Sequence, residues 1–442
     1  MTAAALKAVM EHAIERQRAG RVAEAEALYR QVLAEDPHDA VANHNFGVVA
    51  AQRGAVEEAL PHFKLALDAE PYQGLYWLSY ARALVASGRP EAALKLLARG
   101  RQGGLAGPAY DALLAQAQLG RGDGLAARGQ FARAIKAYRA ALVADPDLAE
   151  AHFHLGSVLS ESGAIAEGFV HFMRRAELAH GEGVANGVDA PPHRRKHDRE
   201  QRDYLQSLGV RSAFHLADGA RLPGPAVNPT NATPELLSRW WTAEPQVVVV
   251  EDFLTPQALA KLRAYCAQST IWRRDYDAGY IGATPADGFA CPLLAQIAEE
   301  ISATWPEIFG PHGFRYLGAF KYDSEYSAGT NTHADFAAVN VNLYITPDEA
   351  NLDPQSGGME IWNIRAPDEP TMRRLNSDET AAREHLARSN ARSRIVPHRA
   401  NRAVFFDSAL FHRTDRCAFR EGYLMKRINI SLLFGAFGAS TR

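Results

Sequence analysis

With 442 residues, the chain has room for two or three domains of roughly 100–200 residues each. Hydrophobic residues make up 47% and charged residues 22%, and a net charge of -3 gives no electrostatic basis for binding nucleic acid or an anionic membrane. Cys266, Cys291 and Cys417 follow no paired spacing, so neither a disulfide framework nor a zinc site is indicated. The first ten residues carry a lysine in a helical charge pattern rather than a secretory core. No run approaches the ~18 uncharged apolar residues of a membrane span, so a cytoplasmic location is expected.

The N-terminal part repeats itself. Gly20, Ala25, Tyr29 and Pro37 recur 34 residues later as Gly54, Ala59, Phe63 and Pro71. The same offsets return as Gly129, Ala134, Tyr138 and Pro146, and partly as Gly163 and Phe172; Gly88, Ala93 and Leu97 keep the pattern without the proline. In each unit glycine ends one helix, alanine lets the paired helices approach, the aromatic fills the space between neighbours and proline stops the second helix. This pattern resembles tetratricopeptide repeats. The resemblance implies an all-α solenoid over residues 1–180 with a concave face for a protein or peptide partner, or a device for assembly. Residues 181–230 break the period and read as a linker. Its charge run, His193 to Arg199, reads as a solvated helix start.

Residues 231–442 read as a helix-flanked β-domain. Val247 to Val250 is a strand, Thr255 caps a helix running to about Cys266, and Leu293 to Trp305 is a second amphipathic helix. Strand-like runs follow at Tyr316 to Tyr322, Phe336 to Thr346, Gly358 to Trp362, Ala403 to Phe411 and Ile428 to Phe434. Short strands without regular helix alternation favour an antiparallel sandwich, and a double-stranded β-helix, a jelly-roll variant, would fit. Asn340 and Asn342 share one face of their strand, and Arg427, Asn429 and Ser431 share one face of theirs. We read both polar faces as lining a cavity.

Within this frame His333-Ala334-Asp335 is answered 77 residues after the aspartate by His412. Residues two apart on an extended chain point to one side, so His333 and Asp335 can reach one metal, with His412 closing the set from the opposite sheet. Two histidines and one carboxylate occupy one face of an octahedral Fe(II) and leave three positions open. His385 and His398 are rivals for the second histidine, but neither follows a buried-looking strand. Arg427 comes 15 residues after His412.

Phe320 to Asp323, His333 to Asp335, Asn340 to Leu343, Ser356 to Glu360, Asn401 to Phe406, Leu410 to Thr414 and Lys426 to Ile430 together resemble an iron(II)- and 2-oxoglutarate-dependent dioxygenase of the prolyl-hydroxylase-like sort. The resemblance implies that Fe(II) is held by His333, Asp335 and His412. It further implies that 2-oxoglutarate is anchored through its distal carboxylate by Arg427, which a guanidinium fork suits. Asn429 would support that arginine, and Tyr322 and Asn342 are candidate donors to the co-substrate, alongside ordinary structural roles. Arg420 and Lys426 are rivals to Arg427, one in a turn and the other facing the wrong side. The reaction implied consumes O2 and 2-oxoglutarate, releases succinate and CO2, and hydroxylates a C–H bond. The carboxylate at 335 argues against halogenation. Two alternatives stay open: an oxygenase for a free small molecule with repeats used for assembly, and an interaction protein with a non-catalytic oxygenase domain. The Arg-rich insert, about Arg365 to Arg394, reads as a lid or a disordered loop.

Overall fold

The computed structural model describes residues 1–181, 190–327 and 329–439. The first part of the expected linker, residues 182–189, lies outside the described residues. The chain divides into two compact units, Met1–His154 and Leu155–Arg442.

The first unit consists of antiparallel helix pairs, beginning with Ala3–Arg18 and Val22–Glu35 and continuing at the expected period through Ala40–Gln52, Val56–Ala69, Gly74–Ala86 and Pro90–Gln102. Gly20, Gly54, Gly88 and Gly129 end their helices at φ values of 68° to 85°, where a side chain would be strained. Ala25, Ala59, Ala93 and Ala134 are fully buried, as are Tyr29 and Leu97, with Phe63 and Tyr138 nearly so. In two of these units the aromatic rests on a glycine of the preceding helix: Phe63 on Gly47 and Tyr138 on Gly122. That glycine was not singled out from the sequence. A methyl group at Gly122 would fall inside the ring of Tyr138. Gly122→Ala, normally favourable in a helix, is therefore expected to lower stability by about 1–3 kcal/mol through overpacking. Denaturant unfolding checks this, and a stabilised variant would remove the packing argument.

Among the described residues, the second unit is built on ten strands: β1 (Val247–Val250), β2 (Arg274–Asp275), β3 (Tyr280–Ala283), β4 (Phe314–Tyr322), β5 (Val339–Tyr344), β6 (Met359–Arg365), β7 (Ser393–Val396), β8 (Ala403–Asp407), β9 (Leu410–Thr414) and β10 (Arg427–Phe434). Every pairing is antiparallel, in a seven-stranded sheet of order β1-β8-β5-β10-β4-β3-β2 and a three-stranded sheet of order β7-β6-β9. The run Ala403 to Phe411, expected as one strand, is two: it turns at Ser408 and Ala409, so β8 and β9 lie in different sheets. The β5 run is also shorter than expected, and His333 to Asp335 stand in the loop before it. Thr255 caps its helix as expected, accepting the Ala258 amide in front of Pro256–Gln268.

One face of the large sheet packs on the helices Pro256–Gln268 and Pro292–Thr304, through residues such as Leu262, Ile297, Phe405 and Leu432. The last repeat helix, Ile165–His180, adds Ile165, Phe169 and Phe172 to that same core. A smaller cluster, with Tyr344, Met359, Ile361 and Phe406, joins the two sheets.

Two sequence expectations are corrected here. The charge run is not a solvated helix start: in the helix Pro192–Ser207, Arg194 and His197 are buried. Arg194 Nε donates to Asp275 Oδ1 at 2.7 Å and its Nη1 donates to the Trp272 carbonyl. The Arg365 to Arg394 insert is not a disordered loop. It forms the helices Glu369–Asn376 and Glu379–Arg388, and Met372, Leu375, Ala382 and Leu386 pack with Ala334 and Phe411.

Burial pushes the His197 imidazole down to about 3. Above pH ~6.5 both folded and unfolded chains keep it neutral. Below that value the unfolded chain takes up a proton that the folded one refuses, so stability falls between ~6.5 and about 3. The expected slope is at most about 1.4 kcal/mol per pH unit. Unfolding midpoints measured across that window should flatten in His197→Gln, and an unchanged profile would assign the acid sensitivity elsewhere.

Candidate metal centre

His333 and His412 meet through their backbones. The His333 amide donates to the His412 carbonyl at 3.0 Å and the His412 amide to the His333 carbonyl at 2.8 Å, a single antiparallel bridge between the β4–β5 loop and β9. The Asp335 amide donates to the Ser408 carbonyl at 2.9 Å. The insert completes the support. Asn376 Oδ1 accepts the Ala334 amide at 3.0 Å while its Nδ2 donates to the Ala334 carbonyl at 2.8 Å. Glu379 takes the Thr332 amide at 2.6 Å and the Thr332 hydroxyl at 3.2 Å. The residues on both sides of His333 are thus held by the same two-helix element.

The side chains then converge. The two imidazole centroids lie 4.4 Å apart, and His412 Nε2 is 3.4 Å from Asp335 Oδ2. One donor atom from each of His333, Asp335 and His412 lies within 4.8 Å of the others, the grouping expected from the sequence. His333 Nδ1 bonds the Asn331 carbonyl at 2.8 Å and His412 Nδ1 bonds the Leu410 carbonyl at 2.9 Å. A carbonyl partner requires Nδ1–H, so each Nε2 keeps its lone pair for a metal. Asn340 Nδ2 donates to Asp335 Oδ2 at 2.6 Å. Burial alone would raise the Asp335 carboxyl. The adjacent imidazoles of His412 and His333, with the Asn340 amide, outweigh it and hold the group below its ordinary range. Burial, then the neighbouring His412, lowers His333. Both shifts favour the ligand forms, carboxylate and neutral imidazole. Two neutral nitrogens and one carboxylate oxygen suit Fe(II) and leave positions open for other ligands.

These three residues share a cavity of about 380 Å3 with Tyr280, Phe320, Tyr322, Asn342, Arg427 and Asn429. The polar faces of β5 and β10 therefore line a cavity, as read from their alternation. Arg427 is 1% exposed. Its Nε donates to the Gly357 carbonyl at 2.6 Å, Nη2 to the Gly358 carbonyl at 3.0 Å and Nη1 to Asn429 Oδ1 at 2.7 Å. Its guanidinium carbon lies 4.6 Å from the Tyr322 ring centre and 5.4 Å from that of Tyr344. No carboxylate pairs with it among the described residues. A guanidinium has five N–H groups, so two are not spent on these three acceptors, and the Tyr322 and Tyr344 hydroxyls stand beside them.

Tyr322 accepts the Thr414 hydroxyl at 3.1 Å, and burial raises its phenol to about 12, so it remains a donor at neutral pH. Asn342 Nδ2 donates to Ser431 Oγ at 3.1 Å, and its buried Oδ1 has no protein partner. The rivals are elsewhere. His398 bonds the Thr346 carbonyl and packs on Tyr344, and His385 packs on Phe411 from the insert. Lys426 pairs with Glu200 and Asp323, and Arg420 bonds the Glu349 carbonyl. Arg413, without a role in the sequence, pairs with Glu360 at 2.8 Å. Sequence reasoning missed Asn376, Glu379 and Asn340; only Asn340 carried a signal, its place on the polar face of β5.

Comparison with known proteins bears on the repeats. Tetratricopeptide-repeat models match residues 10–74 and 50–117, and a TPR-repeat model matches residues 122–163. The N-terminal half is a tetratricopeptide-repeat array. Among solved structures, the chain is similar to a MamA RS-1 double mutant, with 20% identity, 41% of this chain and 97% of that one covered, and a TM-score of 0.34. It is also similar to MamA from Desulfovibrio magneticus RS-1 (20%, 40% and 97%, 0.34) and to YrrB, a TPR protein with an unusual peptide-binding site (22%, 38% and 84%, 0.31). No curated protein matches the chain. Among the described residues, no helix is long and apolar enough to cross a membrane.

If the insert sets the His333 loop, Asn376→Ala should weaken metal binding roughly 10–100-fold, as changes behind metal ligands typically do. Glu379→Gln, which keeps one acceptor, should cost less. Titration with Co(II), followed by its absorption bands, measures this, and unchanged affinity in both variants would reduce the insert to a bystander.

Proposed function

We propose that residues 231–442 are an iron(II)- and 2-oxoglutarate-dependent dioxygenase of the double-stranded β-helix type. In this reading it hydroxylates a protein, peptide or carrier-bound substrate recruited by the repeats, and works in the cytoplasm. The observation that carries the reading is Arg427: a buried cation without an anionic partner among the described residues, opening into the cavity that holds His333, Asp335 and His412. A buried charge is costly unless it is paired, so the cavity suits an anion. A dicarboxylate spanning from the guanidinium to the metal ligands would meet that need.

The residues divide the work. His333, Asp335 and His412 would hold Fe(II), which when bound activates O2 for oxidative decarboxylation of the co-substrate and oxidation of a C–H bond. Arg427, its fork aimed by Gly357, Gly358 and Asn429, would take the distal carboxylate of 2-oxoglutarate through its two remaining N–H groups. The Tyr322 hydroxyl and the Asn342 amide stand on the same wall as donors that orient the co-substrate. Tyr280 and Phe320 form an apolar side that limits water near the reacting centre. The repeat array supports a protein or peptide partner, because stacked helix pairs present an extended surface.

Anaerobic loading with Fe(II) and 2-oxoglutarate, followed by oxygen and a succinate assay, tests the reading. His333→Ala, Asp335→Ala and His412→Ala should each abolish turnover. Arg427→Ala should mainly raise the 2-oxoglutarate requirement, roughly tenfold or more, as loss of a buried charge contact does. Succinate formed at wild-type rates by all three ligand variants would discard the assignment.

A further inference from the structure

The large sheet has a second cavity, of about 300 Å3, on its other side. Phe320 and Tyr322 of β4 face the metal centre, so Lys321 between them faces away from it. Lys321 is 2% exposed. Its Nζ lies 3.7 Å from the Tyr423 ring centre, 5.1 Å from that of Trp272 and 3.4 Å from His197 Nε2. Among the described residues no carboxylate pairs with it. Glu200 and Asp323, which lie nearby, are bound to Lys426, and Asp323 also to Lys196.

The walls are apolar, with Ala260 and Ala264 from the helix Pro256–Gln268 and Ile345 and Ile428 from the sheet side. The same helix supplies Arg263, which makes no hydrogen bond or ion pair among the described residues. Burial first, then the charge of Lys426, pushes the Lys321 amine well below the ordinary lysine range. A cation over an aromatic ring is favourable, but that gain of about 0.5–2 kcal/mol does not offset removing an unpaired ammonium from water. Lys321 is thus an amine whose neutral form is favoured, at the base of a cavity whose wall carries a spare guanidinium.

We propose that Lys321 is a covalent capture site for a small carbonyl compound bearing a carboxylate, a 2-oxo acid, with the carboxylate taken by Arg263. Nζ adds to the carbonyl carbon as the π pair moves to oxygen. Loss of that oxygen as water, carrying both amine hydrogens, leaves the imine. No electrons are exchanged, so no oxidant or reductant is required. His197 Nε2 accepts one N–H of Lys321 and orients the amine. The site lies across the sheet from the metal centre and stands whether or not iron binds there.

The test is reductive trapping of the full chain at pH 7 with pyruvate and cyanoborohydride, followed by peptide mapping. Lys321 should be carboxyethylated at least roughly tenfold faster than each of the other seven lysines. Labelling of Lys321 no faster than theirs would overturn the proposal. Arg263 is only half-buried, so Arg263→Gln should leave the fold intact. It is expected to slow pyruvate labelling of Lys321 about tenfold while leaving acetaldehyde labelling unchanged. Equal pyruvate labelling in that variant would overturn the oxo-acid assignment.

Discussion

The reciprocal backbone pair between His333 and His412 is the constraint on which the rest of the second unit's chemistry depends. It couples a loop leaving the large sheet to a strand of the small one, across a sequence separation of 79. With the backbones paired, the rings are forced side by side, and the aspartate two residues on falls into reach of the second imidazole. Side-chain rotation alone could not bring donors on separate sheets together so reliably, because each free torsion costs entropy that paired amides have already settled. Arg427 performs the matching task on the far side of the cavity. It rises from β10 in the large sheet and fastens to the carbonyls of Gly357 and Gly358 at the approach to the small one.

Much of this was legible in the chain because it rests on local periodicity. The repeats declare themselves through glycine, alanine and an aromatic at fixed offsets, and those residues are the helix ends and buried contacts of the structure. The cavity face of β10 was legible because Arg427, Asn429 and Ser431 alternate with Ile428, Ile430 and Leu432. The grouping of His333, Asp335 and His412 was legible too, with the first two residues two apart and the third at the end of an apolar run. What alternation could not reveal was the break in that run. Ala403 to Phe411 is apolar almost throughout, and the turn at Ser408 and Ala409 carries neither glycine nor proline.

The misread segments share another cause: their partners are distant in sequence. Arg194 looks like a solvated charge until Asp275 and the Trp272 carbonyl arrive from about eighty residues away. The insert after β6 is rich in arginine and reads as a loose excursion. Its apolar residues, Met372, Leu375, Ala382 and Leu386, find their cover on Ala334 and Phe411, next in sequence to His333 and His412. In both cases composition described the exposed side of an element whose other side does the packing.

The helix Ile165–His180 closes the repeat pattern, yet its Ile165, Phe169 and Phe172 belong to the core beneath the large sheet. Each such side chain is worth about 1.5–3 kcal/mol when buried. Severing the polypeptide where the periodicity ends would therefore strip the downstream unit of a supporting layer and expose apolar surface on the severed stub. The helix belongs to the unit whose sheet it covers, so the boundary between compact units falls before it. Recombination between unrelated genes would have to carry this helix along with the sheet that it shields.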